Sequence, residues 1–457
     1  MVGGRGTRLI SSDVDIVFLC KLFQTDSPRE ETNMSVSSLR NHDPMSPYEP
    51  GSYLATPEDH FRKLQQAGRI IRGFCEGVGP EGIYDFSGLE RGLPLSPEML
   101  QWCDDELAQA MFYDDLQRIG LEHMGGQPGT HEVVLLNRVT AGLFTACQVL
   151  VEPGSTVIGV SPSHSHPAVA RAVRAQGAKF IDVTGWAGFE RAVSEMEAPT
   201  AIVMTRLAVT YDILDIKEIE RIVSWARERS IPVILDEAGG ARVGPAIFAQ
   251  PRSMQLGADL AVTGLDKYGT RGPRLGLMVA SADLAARVRS RAFQIGTEAR
   301  PLFYPAAIAS LKGYEEARVR DLVACTMTVG DAVRGLVGDR LVSTGVIVKI
   351  LGESLLEMAE EQAGSNLSEP FKGRIAPIEA TAVLSMLLLV NHRMITVHFV
   401  GLPPGTSAML IKFIPPELLA RFGGADKFAH AISSSIKELP RYFSDDGAMR
   451  KLLFGAA

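Results

Sequence analysis

The stretch Ile231-Pro-Val-Ile-Leu-Asp-Glu-Ala-Gly-Gly240 decides the fold, together with Gly257-Ala-Asp-Leu-Ala-Val-Thr-Gly-Leu-Asp-Lys267 and Leu275-Gly-Leu-Met-Val-Ala280 just downstream. Each holds a short apolar run bounded by Gly or Pro. Such runs read as strands buried on both faces, as in a parallel sheet covered by helices. Polar residues gather at the ends of the runs: Asp236 follows the first and Lys267 the second.

Working outward, strand-like and helix-like segments alternate. Residues 132–136 lead into a helix over 140–150, 156–160 into 167–176, 179–183 into 188–196, and 201–205 into an amphipathic helix over 215–229. This alternation predicts an α/β protein with a mainly parallel, seven-stranded-type sheet flanked by helices and joined by right-handed crossovers. Past Pro301 the pattern changes to a helical bridge over 305–337. Shorter strands at 346–350, 394–398 and 409–413 then mix with helices at 378–391 and 425–442. The expected organisation is a flexible tail (1–45), an N-terminal segment packing on both domains or on a partner subunit (46–105), a large domain (106–304), a bridging helix (305–338) and a smaller C-terminal α+β domain (339–457). Thr56-Pro-Glu-Asp, a capping residue followed by proline and acids, opens the helix of the N-terminal segment.

A chain of 457 residues with 46% hydrophobic and 22% charged residues can bury a full core. Its formal charge of −7 gives no support to a nucleic-acid partner, because phosphate binding needs a concentrated basic surface. Five scattered cysteines, without a CxxC, suggest neither a disulfide frame nor a metal site, and fit a reducing cytoplasm. No apolar run reaches the length of a membrane span. Asp13 and Asp15 interrupt the one stretch that resembles a signal peptide, and Met34 is a second candidate start.

A carboxylate past one buried strand and a lysine past the next are what a pyridoxal phosphate enzyme needs. One pairs with the pyridinium nitrogen and the other forms the Schiff base. Lys267 can attack a carbonyl only as a free amine, so the site must desolvate it or place a cation nearby, for which Arg271 and Arg274 are candidates. Asp236 is the ring-nitrogen acid, with Glu237 as its alternate on the opposite face of the strand. Asn137-Arg-Val-Thr-Ala-Gly142 turns from strand into helix, where the free amides and hydroxyl around Arg138, Val139 and Thr140 form a phosphate cup; Thr263 is a second phosphate candidate. His166, in Ser161-Pro-Ser-His-Ser-His166, can stack on the ring or cap the following helix. Lys412, Arg421 and Arg271 are candidates to bind the substrate. His123 and His131 read as ordinary loop residues.

These segments resemble the fold type I pyridoxal phosphate enzymes, the aspartate aminotransferase superfamily, over roughly residues 86–442. Within it the chain is most similar to the SelA-like enzymes related to bacterial selenocysteine synthase. The similarity lies in Val134-Leu-Leu-Asn-Arg-Val-Thr-Ala-Gly-Leu-Phe144, Asp236-Glu-Ala-Gly-Gly240, and Gly257-Ala-Asp-Leu with Asp266-Lys267 and Gly272-Pro-Arg-Leu-Gly276. The resemblance implies that Lys267 holds pyridoxal 5'-phosphate, Asp236 binds its ring nitrogen, His166 stacks, and the turn from Arg138 to Thr140 binds phosphate. Many relatives carry His or Ser where this chain has Ala238 and Gly239, and an arginine where it offers Lys412.

The expected function is a pyridoxal phosphate lyase or transferase acting at Cα or Cβ of a small amino acid or amino-sugar-type substrate, by β-elimination or β-replacement with the Schiff base exchanged onto the substrate. An aminotransferase or desulfurase is the alternative, and a non-catalytic protein of the same fold stands behind both. A desulfurase needs a mobile nucleophilic cysteine, whereas Cys325 falls in a helix. Dinucleotide binding is weaker still, because no strand leads into Gly-x-Gly-x-x-Gly. The expected partners are a small amino substrate and further copies of the chain, in a homodimer or higher homo-oligomer, with no nucleic acid or membrane.

Overall fold

A computed structural model describes residues 51–364, 369–399 and 407–455. The expected tail, with Cys20 and Met34, lies outside these residues. The strands are β1 (Tyr84–Asp85), β2 (His131–Leu136), β3 (Thr156–Ser161), β4 (Lys179–Thr184), β5 (Ala201–Thr205), β6 (Val233–Asp236), β7 (Leu260–Gly264), β8 (Gly276–Ser281), β9 (Leu341–Ser343), β10 (Ile347–Leu351), β11 (Met394–Ile395), β12 (Val397–Phe399) and β13 (Ala408–Lys412). Seven of them form the main sheet, in the order β2-β8-β7-β6-β5-β3-β4. β8 is antiparallel to both of its neighbours, and the other pairs are parallel. The molecule is therefore an α/β protein with a mostly parallel central sheet flanked by helices.

Alternation along the strands divides the core between the two faces of the sheet. Ile234, Val203, Val262 and Leu136 pack beneath the helix Val139–Leu150, whereas Leu235, Met204, Ala261 and Leu277 pack on the other face with the helix Ile216–Arg227. That second helix shows why the sequence folds as it does. Its Asp215 accepts from the Lys217 amide as N-cap, and Ile219, Ile222, Val223 and Ala226 recur at the spacing that puts one buried stripe against the sheet.

The second sheet has four strands, in the antiparallel order β12-β13-β10-β9, and packs with the helices Pro377–His392 and Ala425–Ser444 around its own core. β1 instead pairs in parallel with β11. The expected bridge over 305–337 is two helices, Tyr304–Lys312 and Glu316–Val337, because Gly313 ends the first. Among the described residues, no helix is long and apolar enough to cross a membrane.

Candidate active site

The strand ends that follow β6 and β7 open onto one cavity of about 170 Å³, lined by Asp236, Lys267, His166 and the turn from Arg138 to Thr140. Asp236 ends β6 on the same face as Ile234, and Glu237 therefore points to the opposite face. There Glu237 meets Arg206 at 2.8 Å, both side chains fully buried, so the alternate acid is already paired away from the cavity. The Ala238 amide donates to Asp236 Oδ1 at 3.2 Å, and Thr205 lies opposite Asp236 in the register of β5. Burial pushes the Asp236 carboxyl up to about 6, against the pull of the Ala238 amide and the charge of Lys267.

Lys267 lies three residues beyond β7. The Thr270 hydroxyl donates to its carbonyl at 2.9 Å, which closes the turn that carries it. Its amine is held below the ordinary lysine range chiefly by burial. Lys412 adds to the lowering, while Asp266, Tyr211 and Asp236 oppose it. Asp266 lines the same cavity and is paired with Arg274 at 3.1 Å.

His166 takes one of the two roles the sequence allows, the helix cap, and also faces the cavity. Its Nδ1 accepts from the Ala168 amide at 3.1 Å, capping the helix Pro167–Arg174, and its ring lines the cavity. The cap leaves the proton on Nε2. Burial, aided by the charges of Lys267 and Arg171, pushes the imidazole down to about 4, so it is neutral near pH 7.

At the far end of the cavity the helix Val139–Leu150 begins. Arg138 is its N-cap and makes no capping side-chain bond, so the first amides lack intrahelical partners. The turn sits hard against the sheet. A Cβ on Gly276, at the start of β8, would lie 2.6 Å from the Arg138 carbonyl oxygen and 2.9 Å from the Val139 nitrogen.

Four sequence expectations are corrected by position. Thr263 is fully buried on the other face, where its hydroxyl accepts from Arg242 at 3.1 Å; strand alternation turns it away from the phosphate cup. Arg271 is bound to Glu90 at 3.2 Å and Glu417 at 3.6 Å, with its side chain 58% exposed. Arg421 donates to the carbonyls of Glu81 and Ile83 and lies over the Tyr84 ring. Lys412 is buried against Tyr211 and Tyr268, outside the lining. Each of these side chains is taken up by nearer partners. The cations that do line the cavity, besides Lys267, are Arg138 and Arg274.

Sequence reasoning passed over Thr205, Tyr211, Arg242 and Tyr268. Only Tyr268, next to Lys267, carried any signal, and that was adjacency alone. Cys325 is half-buried in the helix Glu316–Val337 with its thiol pushed up by burial, which makes it a poor nucleophile.

No family model matches the sequence. A UPF0425 pyridoxal phosphate-dependent protein of Methanothermobacter thermautotrophicus is 32% identical over 407 residues, which is 88% of this chain and 100% of that protein. The chain belongs to the UPF0425 pyridoxal phosphate-dependent proteins. A second UPF0425 relative, from Methanosphaera stadtmanae, is 26% identical over 76% of this chain and 86% of its own length. Among solved structures, alanine-glyoxylate aminotransferase from Nostoc sp. superposes on the UPF0425 chain with a TM-score of 0.53 at 12% identity, covering 77% of this chain and 95% of its own. Serine palmitoyltransferase from Sphingomonas wittichii gives 0.53 at 12%, covering 77% and 86%. These two similarities establish the fold, which is that of the pyridoxal phosphate-dependent transferases of fold type I.

The residues of the UPF0425 cavity fit pyridoxal phosphate. Asp236 is a buried carboxyl whose raised pKa marks the lack of a strong cationic partner, and a pyridinium N–H supplies one. The open helix N-terminus beside Arg138 suits a phosphate, and Lys267 supplies the amine between them.

Proposed function

We propose that this UPF0425 protein is a pyridoxal phosphate-dependent lyase or transferase acting at Cα or Cβ of a small amino acid or amino-sugar-type substrate, by β-elimination or β-replacement. The observation that carries the reading is the convergence of Asp236, Lys267, His166 and the Arg138–Thr140 turn on one cavity. When bound, pyridoxal phosphate supplies an electron sink conjugated to the substrate Cα.

The chain's own residues do the rest. The amides at the start of the helix Val139–Leu150, with Arg138, hold the phosphate. Asp236, oriented by the Ala238 amide, would keep a proton on the ring nitrogen. His166, neutral and fixed by its cap, offers a flat face rather than a charge. Lys267 anchors the cofactor through its free amine. As a free amine beside the substrate Cα, Lys267 would take the Cα proton and return a proton to the leaving group on Cβ. Arg274, fixed by Asp266 at the cavity edge, is the best-placed cation for a substrate anion.

We infer a cytoplasmic location and a homodimer or higher homo-oligomer. The test is a panel of amino acids and β-substituted or phosphorylated amino compounds. Ammonia and a keto acid released without an acceptor support elimination, whereas strict dependence on a second keto acid makes the enzyme an aminotransferase.

A further inference from the structure

Behind Lys267 lies a cluster that the cavity chemistry does not use. The Tyr211 and Tyr268 hydroxyls are 2.8 Å apart. Lys412 Nζ sits over both rings, 5.7 Å and 5.5 Å from their centroids, and Phe413 stacks on Tyr268 at 3.9 Å. All four residues are at most 8% exposed.

The backbone is strained at this point. Tyr211, Tyr268 and Phe413 have φ of 68°, 55° and 47°, in the left-handed region that costs a non-glycine residue roughly 1–2 kcal/mol. Two of the three directly follow the lysines, Lys267 and Lys412. Strain of this kind persists where the surrounding fold over-determines a geometry. The packing agrees: a Cβ on Gly88 would lie 2.4 Å from the Lys412 carbonyl oxygen, and one on Gly239 would lie 2.7 Å from the Tyr268 ring.

A buried lysine is costly unless something favours its charge. Among the described residues no carboxylate pairs with Lys412; its partners are the two aromatic faces and the Tyr211 hydroxyl. We propose that Lys412, seated over the rings of Tyr211 and of Tyr268, the residue that follows Lys267, adds to burial in keeping Lys267 an unprotonated amine, and is a positioning residue rather than a substrate-binding one. The inference rests on Lys267 being the cofactor-bearing amine.

The groups facing Lys267 are Asp266 on its own loop, Asp236 on β6, His166 at its helix cap, Tyr211 beyond β5 and Lys412 on β13. Those facing Lys412 are Lys267, Tyr211 and Tyr268. Lys412 disfavours the charged amine at Lys267. Tyr211, whose hydroxyl Lys412 and Tyr268 pull below the usual phenol range in spite of its burial, favours it.

The experiment follows capture of pyridoxal phosphate by the full-length apoprotein from pH 5 to 10. Each sample is trapped with borohydride, and label on Lys267 is read by mass spectrometry. A parallel series with acetic anhydride reads the same amine without cofactor. Lys412→Met moves the midpoint of both series by about one pH unit toward alkali, Lys412→Arg restores it, and Tyr211→Phe moves it toward acid. A wild-type midpoint in Lys412→Met overturns the proposal, the more so if KM for a carboxylate substrate rises instead. If Lys412→Met does not fold, a Tyr211→Phe midpoint that fails to move toward acid overturns it. Absence of label on Lys267 at every pH contradicts the function proposed above, whereas normal labelling with an unmoved midpoint contradicts this inference alone.

Discussion

The ring of Tyr268 fills the space beside Gly239: a Cβ at that glycine would lie 2.7 Å from Tyr268 Cε2 and 2.8 Å from Leu207 Cδ2. The two residues belong to the two strand ends that define the site, so the Asp236-Glu-Ala-Gly-Gly sequence and the lysine loop fit each other by shape. Gly239 has an ordinary negative φ, so its neighbours, and not its backbone, demand glycine. Gly239→Ser displaces the ring. Thermal unfolding should show a loss of about 1–3 kcal/mol, with a changed visible spectrum of the cofactor-loaded protein.

Gly276→Ala tests the phosphate cup. The added methyl meets the backbone of Arg138 and Val139, which has no flexible end to move aside. Affinity for pyridoxal phosphate, measured by fluorescence titration, should fall about tenfold, equivalent to ~1.4 kcal/mol, while secondary structure by circular dichroism stays intact.

Arg242 is fully buried and donates to the Thr263 hydroxyl at 3.1 Å and the Gly264 carbonyl at 2.6 Å, tying the end of β7 just before Lys267. Arg242→Met leaves those acceptors unsatisfied. Chemical denaturation should report a loss of about 2–4 kcal/mol. Lys267 should also capture cofactor more slowly.

The pH dependence of the apoprotein carries two opposed contributions. His166 is folded with its pKa depressed to about 4, so the stability it contributes is present above its ordinary value of 6.5 and is lost as pH falls through about 4. Asp236 is folded with its pKa raised to about 6, so its contribution is present below its ordinary value of 3.8 and is lost as pH rises through about 6. His166→Asn, which can still accept the Ala168 amide, removes the first. Its loss of stability between pH 6.5 and 4 should be smaller than that of the wild type, by at most roughly 3 kcal/mol. An unchanged slope in urea melts across that range would count against the burial of His166.

Most of the sheet was legible because fully buried strands are unbroken apolar runs. β5 falls on the expected residues and its six partners in the main sheet within two residues at either end. Several helices were not read, among them Pro416–Phe422 and Asp446–Phe454. Gly240–Phe248 begins on glycine and contains Pro245, so its local propensity is poor; packing of Val243 and Ala246 and the ties of Arg242 hold it. Ala282–Ile295 and Gly352–Ala363 follow their strands without a turn to announce them. The expected strand over 394–398 is two strands in different sheets, β11 with β1 and β12 with β13, a division set by distant partners.

Within the site, Asp236, Lys267, His166 and the Arg138–Thr140 turn were legible because each sits next to a strand end, which sequence can place. Thr263 was misread because one step along a strand reverses the face. The cluster of Tyr211, Tyr268, Lys412 and Phe413 was invisible because it joins a loop after β5, the lysine loop and the end of β13, and neither their spacing nor their composition indicates that they meet.

The most direct test of the account is the site of borohydride labelling in the purified, cofactor-loaded protein. The account predicts loss of the visible band and a single pyridoxyl group on the peptide that carries Lys267, with none in Lys267→Ala. A colourless protein that ignores added pyridoxal phosphate, or a label on any other lysine, would contradict it.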